Sequence, residues 1–334
     1  MDIAVVIPCF RVSRHICDVV AKIGREVNSI YVVDDCCPER SGELVEQSIV
    51  DERVHVIRRA KNGGVGAATL EGLKQALADG AGMIVKIDGD GQMDPALIPA
   101  LVAPILRGEA DYAKGNRFYD LRGLAQMPLY RLIGNAVLSF FTKMSSGYWN
   151  IFDPTNGFVA IHADVAKELP VEKLSKRYFF ETDVLFRLNI IRCVVADVPM
   201  PARYGGETSG IVLSRAIVEF LAGNLKNFFK RIFYNYILRD FSMGSLYLIA
   251  GLPIFGFGLI FGSIEWYSHA QSELTASAGT VMLAALPVII GFQLILAFLA
   301  YDVQSVPRVA RHLRNAQVDF QASEEKRAKT NAGT

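Results

Sequence analysis

The sequence predicts an α/β protein in which a mostly parallel sheet is followed by helices that contact and then cross a membrane. Three observations support this prediction. Apolar runs of strand length alternate with helical patterns through the first 115 residues. Two carboxylates follow the fourth apolar run, and two charge-free apolar stretches of 21 and 23 residues occur in the last third of the chain. Alternation of this kind gives a parallel sheet covered on both faces, with right-handed crossovers.

The elements of the first region follow each other in a regular order. Strands are short apolar runs, and helices place apolar residues three to four positions apart. We predict strands at Ile3–Ile7, Ser29–Val33, Val54–Ile57, Met83–Ile87 and from Asp111 to Lys114. We predict helices at Ile16–Val27, Gly42–Ile49, Gly64–Ala78 and Pro95–Leu106. Residues 116–210 are less regular and are expected to add mixed helices and strands around a site.

The two long apolar stretches, Gly244–Ile264 and Gly279–Tyr301, predict transmembrane helices. Each is long enough to cross a hydrocarbon core about 30 Å thick. The alternative is a pair of buried core helices, but buried helices of this length without a polar face are uncommon. Pro253 and Pro287 would break a soluble helix, whereas membrane spans tolerate proline.

The residues that flank the two spans predict their orientation. The connection between them, residues 265–278, has no Lys or Arg and two Glu. Basic residues lie on the other side of each span, at Lys226, Lys230, Arg231, Arg239, Arg308, Arg311 and Arg314. The positive-inside rule then places both termini in the cytoplasm and the short connection outside.

The segment Ser214–Phe241 is dense in Phe, Leu and Ile and also carries Lys and Arg. This composition is typical of amphipathic helices that lie on an anionic membrane surface, and the alternative is a helix that faces a protein core. We therefore divide the chain into a domain at 1–210, juxtamembrane helices at 211–242, a transmembrane hairpin at 243–303 and a cytoplasmic tail at 304–334.

Overall composition excludes one class of partner. The chain has 35 Lys and Arg against 34 Asp and Glu, so it is not a polycation that binds nucleic acid. The five cysteines have no metal-site spacing, and the adjacent pair Cys36-Cys37 suits a reducing compartment.

The carboxylates Asp88 and Asp90 are the strongest functional signal in the sequence. They follow the fourth predicted strand, and ligands of open α/β sheets bind at the carboxyl ends of strands. Gly89 and Gly91 let the backbone turn so that both carboxylates can face one point. Such oxygen ligands suit Mg²⁺ or Mn²⁺, which are often held by one or two carboxylates together with substrate phosphates. A solvated turn is the alternative, and Asp94 before a proline is better explained as a helix cap.

Other polar groups follow neighbouring strands. Asp34 and Asp35 end the second strand, where a carboxylate could accept hydrogen bonds from a nucleotide or could simply stabilise a turn. Glycines from Gly63 precede a helix and could expose amides to an anion, but they do not match the dinucleotide fingerprint of dehydrogenases. Arg117 follows the fifth strand and could bind a phosphate through two bonds. Further on, Arg131 and Asn135 lie one helical turn apart.

In their order along the chain these pieces resemble the family-2 glycosyltransferases, which have a GT-A fold with a Rossmann-like sheet. The matching segments are Val6 to Phe10, Asp34-Asp35, Asn62-x-Gly64-x-Gly66-x-Ala68, Asp88-Gly89-Asp90 with Gln92, and Gly115-Asn116-Arg117. Within that family the chain is most similar to the polyprenyl-phosphate glycosyltransferases, the group of dolichyl-phosphate mannose synthase. This closer similarity is carried by Asp88-x-Asp90-x-Gln92, Asp153 to Phe158, Arg203 to Ser209 and the two spans after them. The chain has Asn156 where the group usually has serine.

The resemblance implies the roles of individual residues. It implies that a UDP- or GDP-sugar is bound by Pro8, Asp34, Asp35, Gly64, Asp88, Gly89 and Arg117. It implies that Asp88, Asp90 and Gln92 bind Mg²⁺ or Mn²⁺. It also implies that polyprenyl phosphate is bound by Arg117, Arg131, Asn135, Arg203 and Ser209. Its catalytic candidates are Asp90, Arg117, Arg131, Asp153, Glu181 and Asp183. It also implies assembly into oligomers through the membrane helices.

The identity of a general base stays open. A lipid monophosphate has a second pKa near 6, so much of it is already a dianionic nucleophile at neutral pH. Glu181 and Asp183 are acidic candidates for this role, and the alternative is that they are only polar residues at the start of the helix Thr182–Ile191.

The expected function is that of an inverting glycosyltransferase at the cytoplasmic membrane face, with a nucleotide-sugar donor and a polyprenyl phosphate acceptor. One alternative is a membrane glycosyltransferase with a hydroxyl acceptor, although the Gln-x-x-Arg-Trp element of processive enzymes is missing. Another is a catalytically idle membrane scaffold, against which the complete Asp88, Asp90 and Gln92 set argues.

Overall fold

The computed structural model describes residues 1–119, 129–201, 213–272 and 275–315, with side chains except at 129–132 and 213–217. Within this part the chain forms a seven-stranded sheet in the order β3-β2-β1-β4-β6-β5-β7. The strands are β1 (Ile3–Cys9), β2 (Ser29–Asp34), β3 (Val54–Arg58), β4 (Met83–Lys86), β5 (Tyr112–Asn116), β6 (Val159–His162) and β7 (Val195–Pro199). All five predicted strands are present.

The sheet is mostly parallel, as the sequence predicts. Strands β1, β2, β3 and β4 pair in parallel, and so do β5 and β7. Only β6 runs in the opposite direction, between β4 and β5. The carboxyl ends of β1, β2, β4 and β5 therefore lie at one edge of the sheet, together with the start of β6.

The helices of this unit are α1 (Ile16–Ala21), α2 (Ser41–Ser48), α3 (Val65–Ala78), α4 (Ile98–Leu106), α5 (Leu129–Ser146), α6 (Ala163–Glu168) and α7 (Phe180–Ile190). The prediction for α1 was too long, because the chain leaves the helix at Lys22 and turns so that the amide of Asn28 reaches the carbonyl of Ile3. The cap predicted at Asp94 is confirmed, since its carboxylate accepts the amide of Ala96 at 3.1 Å.

The hydrophobic core packs around the central strands β1, β2 and β4. Every residue of β1 is buried, and β2 and β4 are buried along nearly their whole length. Ile7, Val32 and Val85 are fully buried and pack in one apolar cluster with side chains from α1 and α4. Strands buried on both faces read as continuous apolar runs, which is why the sequence identified them.

Helix α8 (Leu213–Phe233) buries two asparagine side chains, while Glu219, Lys226 and Lys230 are exposed. Asn224 and Asn227 are buried, whereas Val218, Leu221 and Leu225 are more than half exposed. The Oδ1 of Asn224 accepts the hydroxyl of Ser145 on α5. The exposed apolar residues Val218, Leu221 and Leu225 point away from the protein, and contact of this segment with a membrane surface stays a prediction.

The chain divides into two compact units, Met1–Phe228 with Pro307–Thr334, and Phe229–Val306. The first unit extends beyond the domain boundary predicted at residue 210, because the first part of α8 packs on α5 and α7.

The second unit contains a π-helical turn (Tyr234–Arg239) and two long helices, α9 (Met243–Ser272) and α10 (Ala278–Gln304). Both long helices are apolar enough to cross a membrane, and only 11% of each apolar window is buried. A core helix of a soluble protein would be mostly buried, so that alternative does not fit. The pair packs closely at glycines, since a Cβ on Gly291 would lie 2.4 Å from the amide nitrogen of Phe255.

The start of the C-terminal tail is part of the first unit. Asp111, which is fully buried before β5, accepts the amides of Arg311 and His312 at 2.8 and 2.9 Å. The ring of His312 stacks on that of His162 with centroids 4.4 Å apart. Residues 307–315, the first part of the segment predicted as a cytoplasmic tail, are therefore packed on the sheet unit.

Candidate active site

The shared edge of the sheet brings together residues that are far apart in sequence. Asp34 and Asp35 end β2, Asp88 and Asp90 follow β4, and Arg117 follows β5. The loop from Asp153 to Gly157 enters β6 at the same edge, because β6 is antiparallel to β4 and β5. The structure thus brings these carboxylates and Arg117 together at one edge of the sheet.

The turn after β4 holds Asp88, Asp90 and Gln92, and all three are half-buried. The amide of Gln92 donates to Oδ1 of Asp90 at 3.0 Å, which fixes this carboxylate within the turn. Gly91 has a φ of +76°, and a Cβ on Gly89 would lie 3.1 Å from Ile16. The glycines therefore have the role that the sequence suggested, since the turn needs one left-handed residue and one without a side chain.

Lys86, the last residue of β4, connects two of the candidate carboxylates. Its Nζ lies 2.7 Å from Oδ1 of Asp88 and 3.0 Å from Oε1 of Glu181, and it donates to the carbonyl of Gly157 at 3.3 Å. Lys86 is 3% exposed. Burial acts to lower the pKa of this ammonium, but Asp88 and Glu181 outweigh it and raise the pKa above its usual range.

Arg117 and Asp153 form a two-bond ion pair. Nε of Arg117 lies 2.7 Å from Oδ2 of Asp153, and Nη2 lies 2.8 Å from Oδ1. Asp153 is 2% exposed and has a φ of +51°, so the backbone is bent to present its carboxylate. Burial acts to raise the pKa of Asp153, but Arg117 and Lys114 together lower it below its usual range.

A second buried cation, Lys114 on β5, stands beside this pair. Its Nζ lies 3.2 Å from Oδ1 of Asp197 on β7, whose other oxygen accepts the side-chain amide of Asn116 at 2.9 Å. Burial lowers the pKa of Lys114 and raises that of Asp197, since each charged form loses its hydration. This network anchors the strand end from which Arg117 projects.

The acidic pair after β2 is bonded to the protein itself. Asp34 accepts the amides of Cys37 and Gly42 at 2.7 and 2.8 Å. Asp35 accepts the amides of Gly63 and Gly64 at 2.9 and 2.8 Å, and it also pairs with Arg59. The glycine amides that the sequence suggested for an external anion are therefore directed at Asp35. Gly64 itself has a φ of +93°, and Pro8 is buried on β1 in register with Val33.

The two acidic candidates on α7 have different surroundings. Glu181 pairs with Lys86, whose ammonium also contacts Asp88 in the turn after β4. Asp183 instead accepts the side-chain amide of Asn227 at 3.0 Å and the amide of Ser175 at 3.0 Å, and it pairs with Arg187. Because these groups occupy both of its oxygens, the structural alternative for Asp183 is favoured over the catalytic one.

The remaining acceptor candidates are only partly described. Arg131 lies on α5, but its side chain is outside the described part of the structure. Asn135 lies one turn later and is half-buried. Arg203 and Ser209 lie outside the described residues altogether.

The donor set fits a divalent ion that also binds a substrate. In the described residues, no group of three or more His, Cys, Asp or Glu side chains could hold a metal ion. Two half-buried carboxylates and an amide at a strand end instead match the hard oxygen ligands of Mg²⁺ or Mn²⁺ when phosphates complete the shell.

Sequence reasoning missed Lys86, Lys114, Arg59 and Asp197. A charged residue inside an apolar strand run was the available signal for Lys86 and Lys114, since a buried lysine needs a buried partner. The sequence could not say which partner each would find.

Known proteins with similar sequences are named as enzymes that transfer sugars to lipid phosphates. A UDP-N-acetylglucosamine–dolichyl-phosphate N-acetylglucosaminyltransferase of Methanococcus voltae is 29% identical over 216 residues, which cover 60% of this chain and 86% of that protein. An undecaprenyl-phosphate mannosyltransferase of Micrococcus luteus is 28% identical over 198 residues, which cover 58% and 80%.

Solved structures show the same fold at lower identity. Glucosyl-3-phosphoglycerate synthase of Mycobacterium tuberculosis in complex with UDP superposes with a TM-score of 0.53 at 19% identity, covering 68% of this chain and 79% of that chain. Its complex with Mn²⁺, UDP-glucose and phosphoglyceric acid gives a TM-score of 0.51 at 19% identity, covering 69% and 79%.

The family model described as Glycosyl transferase family 2 matches residues 4–170, which include β1 to β6 and the turn with Asp88 and Asp90. This range covers half of the chain and nearly the whole edge of the sheet described above. The chain therefore belongs to glycosyl transferase family 2, and its sheet unit has the GT-A fold.

Proposed function

We propose that this protein is an inverting glycosyltransferase that moves a sugar from a UDP- or GDP-sugar to a polyprenyl phosphate at the cytoplasmic face of a membrane. One observation supports a lipid acceptor above all. The unit that contains the carboxylate turn also presents the outward apolar stripe of α8. The relatives named for dolichyl- and undecaprenyl-phosphate support the same acceptor class.

On the donor side, Asp88, Asp90 and Gln92 would hold Mg²⁺ or Mn²⁺. The bound ion would neutralise charge on the donor diphosphate. The structurally similar synthase crystallised with Mn²⁺ and UDP-glucose is consistent with this proposal. Asp35 and the loop at Gly63 and Gly64 are proposed to face the nucleotide.

On the acceptor side, Arg117 is proposed to bind the lipid phosphate. Asp153 holds the edge formed by Nε and Nη2, so the other planar edge, formed by Nη1 and Nη2, is the one proposed to match two phosphate oxygens. A phosphate dianion needs little help from a base, so the role of the chain is to orient it and to stabilise the charge of the leaving diphosphate. Arg131, Asn135, Arg203 and Ser209 complete the proposed acceptor side.

The apolar surfaces of α5 and α8 support contact with a bilayer. On α5, Ile133, Val137 and Phe140 are at least half exposed at helical spacing. On α8, the exposed stripe lies next to Lys226, which would face anionic lipid. Asn224 and Asn227 of α8 are buried in hydrogen bonds with Ser145 on α5 and Asp183 on α7, so these polar groups face the protein while the apolar stripe faces outward.

The position of the tail supports the proposed topology. Residues 307–315 belong to the same unit as the N-terminal sheet. Two segments packed in one unit must lie on one side of a membrane, so α9 and α10 would cross it an even number of times. Two crossings place the connection at 273–277 on the far side, and the helix pair remains available for assembly into oligomers.

A transfer assay with the full chain in membranes tests the proposal. Radiolabelled UDP- and GDP-sugars are supplied with polyprenyl phosphate, and label is measured in the organic phase. We expect one sugar to move into an acid-labile lipid in a reaction that needs Mg²⁺ or Mn²⁺. Label found only in a polymer would support a hydroxyl acceptor, and no metal-dependent turnover of any nucleotide sugar would support the idle scaffold.

A further inference from the structure

The buried ammonium of Lys86 is placed between two carboxylates that belong to different sides of the site. Asp88 lies two residues further along the same chain segment and is 30% exposed at its side chain. Glu181 lies 95 residues away on α7 and is 10% exposed at its side chain. One cation thus contacts a carboxylate of the metal turn and a carboxylate of the helix behind it.

The surroundings of Lys86 are specific for an ammonium group. An ammonium has three donors, and Lys86 has three acceptors in Asp88, Glu181 and the carbonyl of Gly157. A Cβ on Gly157 would lie 2.5 Å from Nζ and 2.4 Å from Oδ2 of Asp88. The absence of a side chain at 157 therefore lets the β6 loop close over the ion pair.

We propose that Lys86 is a positioning residue that links Asp88 to Glu181 and so sets how strongly Asp88 binds a divalent ion. This inference rests on the proposed function, because it gives Asp88 a metal ligand's role. Lys86 occupies Oδ1 of Asp88 and competes with the metal for that oxygen. Glu181 draws the same ammonium in the opposite direction and limits the competition.

Two consequences distinguish this link from a structural ion pair. If Glu181 loses its charge, Lys86 is left to Asp88 alone, and metal binding weakens although Glu181 is not a ligand. If Lys86 is removed as well, the competition ends and metal affinity returns, while Asp88 loses the group that orients it. Affinity and turnover would then change in opposite directions.

The test compares Glu181→Gln with the double variant Lys86→Met/Glu181→Gln in the full chain. The double variant removes one charge of each sign and keeps the side-chain volume, which buried pairs often tolerate. Binding of Mn²⁺ is measured with UDP or GDP present, because phosphates complete the proposed ligand shell, as the further loss of the free-ion electron paramagnetic resonance signal when the chain is added. The value of kcat is measured in the transfer assay. A matched control, Lys74→Met/Glu172→Gln, removes a Lys–Glu pair with a 3.0 Å contact at the exposed side of α3.

We expect Glu181→Gln to weaken Mn²⁺ binding at least about threefold, equivalent to ~0.6 kcal/mol. The double variant should bind Mn²⁺ at least as tightly as the parent, yet its kcat should stay at least about tenfold lower. Melting curves report folding, and the control pair should match the parent in both measurements.

Unchanged Mn²⁺ affinity in Glu181→Gln would overturn the link, and so would a double variant that binds more weakly than Glu181→Gln. A double variant with the parent's kcat would overturn the positioning role. A parent chain that binds no Mn²⁺ with either UDP or GDP present would contradict the proposed metal site as well, so the two failures can be told apart.

Discussion

Arg117 holds Asp153 through two parallel hydrogen bonds of 2.7 and 2.8 Å, although 36 residues separate them in sequence. The carboxylate is almost completely buried, and the guanidinium is 32% exposed at its side chain. The arginine is therefore fixed from behind while part of its surface stays open. A phosphate that approaches this edge of the sheet meets a cation whose orientation is already set, which reduces the entropy lost on binding.

The first prediction is that Arg117→Lys is not a conservative change. Lysine keeps the charge but cannot make two parallel bonds to Asp153 or to a phosphate. We expect kcat/KM for the lipid phosphate to fall at least about tenfold, equivalent to ~1.4 kcal/mol. Arg107→Lys is the matched control, because Arg107 also makes two bonds to one carboxylate, that of Glu109, at an exposed position. Equal losses in both variants would show that Arg117 has no special role.

The second prediction concerns the candidate metal ligand Asp90. Asp90→Asn keeps the shape of the turn and removes one charge from a site that must also neutralise a diphosphate. Transfer should fall at least about a hundredfold, with little change in the melting temperature. Asp94→Asn is the control, since asparagine replaces aspartate well at a helix cap. Near-normal turnover by Asp90→Asn at ordinary Mg²⁺ or Mn²⁺ would remove Asp90 from the metal site.

The third prediction separates backbone strain from a steric clash at Gly64. Its φ of +93° and ψ of +165° lie in a region that is essentially restricted to glycine. A Cβ there would also lie 2.7 Å from the carbonyl oxygen of Lys176. Gly80 has a φ of +86° with nothing within 4 Å of a Cβ, so Gly80→Ala reports strain alone.

We expect Gly80→Ala to cost about 1 kcal/mol of unfolding free energy and Gly64→Ala about 2–3 kcal/mol. Chemical denaturation measures both values. Gly64→Ala should also weaken nucleotide-sugar binding, because the loop at Gly64 is bonded to Asp35. Nucleotide binding that is equally strong in both variants would exclude this loop from the donor side.

The fourth prediction concerns the outward face of α8. Replacing Val218, Leu221 and Leu225 by Ser, Gln and Gln should reduce binding of the full chain to anionic vesicles and transfer to long-chain acceptors at least about tenfold. Transfer to a short, soluble prenyl phosphate should stay at the rate of the parent chain. Leu106→Gln with Val50→Ser is the control, since both residues are exposed elsewhere. Similar losses with both acceptors would mean that the stripe only supports folding.

Substitution is a sharper test here than shortening the chain at residue 210. A chain ending there would lack Asn224 and Asn227, whose side chains bond Ser145 and Asp183. The loss of these buried hydrogen bonds would destabilise the sheet unit itself.

The fifth prediction is a dependence of stability on pH at the packed tail. Burial lowers the pKa of His162, and the nearby His312 and Lys167 lower it further, against the opposing effect of Asp164 and Asp111. A pKa that is lower in the folded state means that folding favours the neutral ring. The contribution of His162 is therefore complete above its unfolded pKa of about 6.5 and is lost as the pH falls through the folded value.

Thermal unfolding between pH 7.5 and 5 checks this prediction. His162→Asn keeps an acceptor for the amide of Asp164 at the start of α6 but cannot titrate in this range. The melting temperature of the parent should fall more steeply with acid than that of His162→Asn. Parallel curves would show that His162 does not carry the dependence.

Local pattern was enough to predict much of this protein. The apolar runs of β1, β2 and β4 predicted strands because residues buried on both faces leave a continuous hydrophobic signal. The long charge-free stretches predicted α9 and α10 because each is long enough to cross a hydrocarbon core about 30 Å thick. Asp88 and Asp90 were noticeable because they follow a buried strand, at the carboxyl end where ligands of open α/β sheets bind.

Long-range pairing needed the tertiary structure. The sequence cannot show that β6 inserts between β4 and β5 and brings Asp153 to Arg117, or that α7 gives Lys86 a second carboxylate in Glu181. Nor does it show that Asn224 and Asn227 of α8 face inward while Val218, Leu221 and Leu225 face outward, since periodicity gives two faces without saying which is buried. Sequence determined what is apolar and where charges occur, because these follow from residue type. Only the fold decided which buried charges meet, because an ion pair depends on the distance between atoms and not on their separation along the chain.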